Sequence, residues 1–87
     1  MKIMRDKQDF SQALACVKVD GIAISREGWN GSGLLVKIQK PDEHSKMTLS
    51  YLYIEYPENA KNTPGARRPW LASQTDILAE DWCVWML

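Results

Sequence analysis

The residues best suited to chemistry lie in two short stretches. One is REGWNGSG, Arg26 to Gly33; the other is RPWLASQTDILAEDW, Arg68 to Trp82. Trp29 and Trp70 offer flat π-faces, on which a nucleobase stacks for about 1–3 kcal/mol without any hydrogen-bond readout. Beside Trp70 stand Ser73, Thr75 and Asp76 at the start of a short predicted helix, whose amides and partial positive charge suit a phosphate. Asp76 would repel that phosphate. It therefore either caps the helix or accepts from a sugar hydroxyl or an exocyclic amine. Arg67 and Arg68, just upstream, are either a solvated loop end or partners for phosphate oxygens. For Trp29 and Trp70 the competing role is core packing, and Asn30 has the ordinary role of a turn residue. These side chains point to a bound, nucleotide-like small molecule.

Catalysis finds less support. His44, the single histidine, lies in the hydrophilic loop Pro41 to Lys46 and reads as solvated, away from any Ser or Cys nucleophile. Glu80 and Asp81 are adjacent, so they point apart and read as polar residues of a helix-to-strand turn. GWNGSG lacks the lysine and the length of a phosphate-cradling loop. Cys16 and Cys83 share no metal-type spacing, so free and partly buried thiols are expected, with no metal or other cofactor. The expected protein is not an enzyme.

Eighty-seven residues with eleven basic and eleven acidic side chains bound the remainder. A chain of this size buries roughly 60–65% of its unfolded surface, enough for one thin core and one domain, 1–87. A sizeable ligand site then belongs on the surface or between subunits. Zero net charge argues against nucleic-acid binding, which depends on many phosphate contacts. The N-terminus lacks an apolar signal region and no apolar run reaches membrane-spanning length, so a cytoplasmic setting is expected.

The elements that must position these residues read as follows. Phe10, Ala13, Leu14 and Val17 form the stripe of an amphipathic helix, capped by Asp9 with Gln12 and stopped by Gly21. Ile22 to Ser25 is a strand and REGWNGSG a tight turn. Leu34 to Gln39 and Met47 to Tyr56 form an antiparallel hairpin, followed by a loop from Pro57 to Arg68. Ser73-x-x-Asp76 is a capping box for a short helix, and DWCVWML is a strand that is apolar on both faces. Such a strand needs cover on both sides, and a second copy of the chain would supply one. The fold class is α+β: an N-terminal helix on an antiparallel sheet, a short helix before the C-terminal strand, in an oligomer.

With those elements in place, REGWNGSG and PWLASQTDILAEDW resemble the motifs of the phage and prophage family that includes the second type of Thoeris anti-defence protein. The resemblance runs from about Phe10 to Trp85, and the second motif is its specific part. It implies a homotetrameric sponge with ligand sites between subunits. The sponge would hold, without cleaving it, the cyclic ADP-ribose isomer made by the Thoeris TIR enzyme, and in some relatives cyclic dinucleotides. By the same resemblance Trp29 and Trp70 would stack on or wall in the adenine. Asn30, Ala72, Ser73, Thr75 and Asp76 would line the site, and Pro69 and Leu71 would shape its wall. Ser32 stands where many relatives carry a basic residue, which leaves that phosphate contact absent or supplied by Arg67, Arg68 or Lys37. The alternative from a different class is a small phage structural or protein-interaction module, with the tryptophans as contact anchors.

Overall fold

The computed structural model describes residues 1–29 and 33–87. Among these residues the elements are β1 (Lys2–Gln8), α1 (Phe10–Val17), β2 (Ile22–Arg26), β3 (Leu35–Gln39), β4 (Tyr51–Glu55), β5 (Arg67–Pro69), α2 (Gln74–Leu78) and β6 (Trp82–Met86), with a 3-10 turn at Glu27–Trp29. The strands form one six-stranded sheet in the order β1-β6-β2-β3-β4-β5, every pair antiparallel. The expected α+β class holds.

Local chemistry accounts for both helices. In α1 the Asp9 carboxylate accepts from the Gln12 amide at 2.8 Å and the Gln12 side chain accepts from the Asp9 amide at 2.9 Å, the reciprocal capping box expected. Ala13 and Val17 of the apolar stripe are fully buried against Ile24, Val36, Ile54, Trp82 and Val84. Each of the larger aliphatic groups stabilises the fold by about 1.5–3 kcal/mol on leaving water. Past the helix the chain reverses at Gly21, whose φ of 85° is the left-handed conformation that glycine adopts without a steric penalty. The one core therefore lies between α1 and one face of the sheet.

Three expectations need correction. Lys2–Gln8, read from sequence as no element at all, is an edge strand paired with β6. Its side chains are almost all exposed, so it is held by backbone pairing rather than burial and leaves no apolar periodicity to detect. Arg67–Pro69, read as loop, is the opposite edge strand, where a proline is tolerated because no further strand needs its missing N–H. The β4 strand begins at Tyr51 rather than Met47. Its partner β3 ends at Gln39, opposite Tyr51, and Leu49 is left 78% exposed.

The C-terminal strand sits inside the sheet, between β1 and β2. Trp82 and Val84 face the core and are fully buried. On the opposite face Cys83 is buried, and half-buried Trp85 donates its indole N–H to Ser25 Oγ at 3.0 Å. Both thiols are free, Cys16 half-buried and Cys83 buried, as expected. Among the described residues no helix is long and apolar enough to cross a membrane.

Trp82 is the largest fully buried side chain. Replacing it with alanine should cost about 3–5 kcal/mol, to be read as a lowered urea midpoint with an unchanged slope.

Candidate functional site

The two stretches singled out from sequence meet at Trp82. Its ring centroid lies 5.5 Å from that of Trp29 and 6.0 Å from that of Trp70, both nearly perpendicular to it. Phe10 closes the group, 5.4 Å from Trp82 and 6.3 Å from Trp70. Trp29 and Trp70 are each half-buried. Core packing and surface presentation are thus combined: each ring leans on the core indole and leaves part of itself to solvent.

The Trp29 turn is fixed from below by Asp81. Its carbonyl accepts from the Glu27 amide at 3.0 Å, and its carboxylate accepts from the Gly28 amide at 2.7 Å. The other carboxylate oxygen of Asp81 accepts from Arg26 Nε at 2.9 Å. The same guanidinium reaches α2, where Nη1 donates to Asp76 Oδ1 at 3.0 Å. Asp76 Oδ2 accepts from the Ser73 amide at 3.2 Å, completing the helix cap, while Ser73 Oγ accepts from the Asp76 amide at 3.1 Å. Finally the Trp82 indole N–H donates to the Asp76 carbonyl at 2.9 Å. One guanidinium therefore connects the Trp29 turn to the Ser73 cap over the edge of the buried indole.

Burial raises the proton affinity of the Asp76 and Asp81 carboxyls, but the hydrogen bonds they receive outweigh it. Ser73 and Arg26 hold Asp76 below its usual value; Arg26 and the Gly28 amide do the same for Asp81. A carboxylate with a lowered native pKa stabilises the fold above the ordinary aspartate range. That stabilisation is lost as pH falls through the native value.

The remaining expected site residues fall in different surroundings. Thr75 is exposed and shares a 2.9 Å hydroxyl contact with Ser73; Ala72 is half-buried; Leu71 is 92% exposed. Arg68 stacks its guanidinium 5.2 Å from the Tyr56 ring centre and donates to the Tyr56 hydroxyl. Pro69 pairs with Tyr53, on the sheet face away from α1. There a cavity of about 230 Å³ is lined by Gln39, Tyr51, Tyr53, Arg67, Arg68 and Pro69. Arg67 and Lys37, the alternative phosphate partners, both pair with Glu55, at 2.7 and 2.6 Å. Asn30 and Ser32 lie outside the described residues. His44 is exposed, as expected of a solvated loop residue.

A second cavity, about 170 Å³, takes in Trp29 together with Ser25, Arg26, Leu35 and Trp85. That volume is small beside the roughly 300–1,000 Å³ of pockets that enclose a drug-sized ligand. Trp70 lines neither cavity.

Arg26, Gly28 and Asp81 were missed by sequence reasoning. Asp81 was read as a turn residue, and Arg26 lies 55 positions from it in the chain. Their meeting follows from the β2–β6 register, which places Arg26 opposite Trp82. The sequence signal was slight: Asp81 directly precedes Trp82, and Arg26 lies three positions before Trp29.

Asp81→Asn should lower stability most at pH 6–8. The gap from the unaltered protein should narrow as pH falls below the ordinary aspartate range and through the lowered native value, checked by thermal unfolding from neutral to acid pH.

Residues 8–85 match the sequence model of the Thoeris anti-defense 2-like domain. The protein called Thoeris anti-defense 2 of Bacillus phage SP01 is 30% identical over 87 residues, spanning 91% of this chain and 96% of that one. The match takes in both motifs, the helix that precedes them and the strand that carries Trp82, and on that extent the chain belongs to the Thoeris anti-defense 2-like family.

Proposed function

We propose that this protein is a phage anti-defence sponge. It binds a cyclic nucleotide immune signal, the cyclic ADP-ribose isomer made by Thoeris TIR enzymes or a cyclic dinucleotide, and sequesters it uncleaved, so the effector stays inactive. Family membership supports the anti-Thoeris role, since the similar phage protein is itself named for it. The observation that carries the binding reading is the placement of Trp29 and Trp70. They come from two segments, flank one buried indole, and are each half-exposed. A ring held edge-on from behind loses little freedom when a base stacks on it, so most of the stacking energy survives as affinity.

Sequestration without cleavage fits how the nearby ionisable groups are engaged. Asp76 and Asp81 are both paired with Arg26 and kept ionised, which makes either a poor proton donor at neutral pH. The modest cavity beside Trp29 supports a site completed by a second copy. So does the apolar surface around α2, where Leu71 is 92%, Leu78 77% and Ile77 47% exposed. A homotetramer with its ligands between subunits would bury that surface and close the site.

Incubation with the cyclic ADP-ribose isomer followed by heat release should return the molecule intact and able to activate the effector; recovery of a cleaved product would make the protein an enzyme. Trp29→Ala and Trp70→Ala should each weaken capture about 10- to 100-fold in calorimetric titration, the equivalent of one lost stack. If thermal stability stays flat against a panel of cyclic nucleotides, the alternative of a protein-contact module is favoured.

A further inference from the structure

We infer that Arg26 is the positioning residue of this site: its guanidinium fork, held between Asp81 and Asp76, sets the placement of the Trp29 turn relative to the Ser73 cap. Arg26 borders the cavity beside Trp29, but its Nε and Nη1 are taken by the two carboxylates, and Asp76 serves as its partner rather than as a ligand contact. The inference rests on the binding reading only for its effect on affinity. Its structural content stands alone.

Three observations carry it. Two different nitrogens of one planar group serve two carboxylates, Nε to Asp81 at 2.9 Å and Nη1 to Asp76 at 3.0 Å; a lysine would have to reach both from one nitrogen on a flexible stem, without the fixed spacing of the fork. Each carboxylate then uses its second oxygen on the backbone of one of the two segments, the Gly28 amide at 2.7 Å and the Ser73 amide at 3.2 Å. Both oxygens of Asp76 are thereby engaged. The third observation is steric. A Cβ at position 28 would lie 2.9 Å from Asp81 Oδ2 and 3.4 Å from Arg26 Nη2, so the glycine is required by the same ionic cluster. Asp81 cannot swing aside without breaking its bonds to Arg26 and Gly28.

The charge balance of the cluster also matters to an anionic ligand. Two carboxylates share one guanidinium, so the cluster as a whole carries a negative charge. Arg26 offsets much of the field of Asp76 next to the Ser73 cap, which lessens the repulsion that this carboxylate would otherwise exert on a phosphate.

The test uses Arg26→Gln, Arg26→Lys and Gly28→Ala in the full chain, with two readouts. The first is free of ligand: amide hydrogen exchange and indole resonances by NMR. In Arg26→Gln and Gly28→Ala the amide at position 28 should lose at least about tenfold of its protection relative to its intrinsic exchange rate, and the Trp29 indole resonance should move. The amides of Val36 and Val84 in the sheet should stay protected, which shows that the variant remains folded. Unaltered protection of the position-28 amide and an unmoved Trp29 indole in both variants would overturn the inference. The second readout is calorimetric titration with the cyclic ADP-ribose isomer. Arg26→Gln should bind about tenfold more weakly or worse, and Arg26→Lys should restore little of the loss. Full recovery by lysine would reduce Arg26 to a simple counter-charge and overturn positioning. If the unaltered protein binds no signal at all, the proposed function fails, and hydrogen exchange alone then decides the role of Arg26.

Discussion

The structure depends most on the burial of one indole. Trp82 is fully enclosed, meets Phe10, Trp29 and Trp70 with its ring, and gives its N–H to the Asp76 carbonyl. A buried indole must find an acceptor, and here the acceptor is the backbone of α2. One side chain thus packs α1 against the sheet, fixes α2 over the edge of the core, and backs both half-exposed tryptophans. In a chain with so thin a core, the candidate site and the core share their central residue.

Around that indole the ionic contacts divide the labour. The Arg26 cluster secures the Trp29 turn and the Ser73 cap, while the Lys37–Glu55–Arg67 group stiffens the far edge of the sheet. In the latter, burial opposes the charge on Glu55, and its two cationic partners outweigh that cost. Such pairs contribute little when fully solvated, but all of these except Arg67 are shielded by neighbours. They serve geometry more than stability. For an anionic ligand this means that neither Arg67 nor Lys37 is an idle cation: each would have to be shared with Glu55.

Much was legible where the cause is local. The capping boxes of Asp9–Gln12 and Ser73–Asp76 satisfy amides three residues away, so their sequence pattern is nearly their structure. The stripe Phe10, Ala13, Leu14, Val17 and the alternation in β3 report directly which faces meet the core, whereas β6 is apolar on both faces and its sequence does not choose between them. The motifs bearing Trp29 and Trp70 were likewise visible, because bulky aromatics among turn residues stand out by type. The edge strands were not: Lys2–Gln8 and Arg67–Pro69 bury almost nothing, and their pairing depends on backbone groups that every residue carries.

By itself, then, the sequence determined the two helices with their caps, the hairpin, the apolar terminal strand, and the candidate residues near Trp29 and Trp70. Only the tertiary structure decided that the chain's last strand lies inside the sheet, that both tryptophans lean on Trp82, and that Asp76 answers to Arg26 across 50 positions of chain. The reason is range. Caps and periodicities are set by neighbours a turn or a pleat away, whereas the meeting of Arg26, Asp76 and Asp81 is set by strand register, which the whole sheet must settle together.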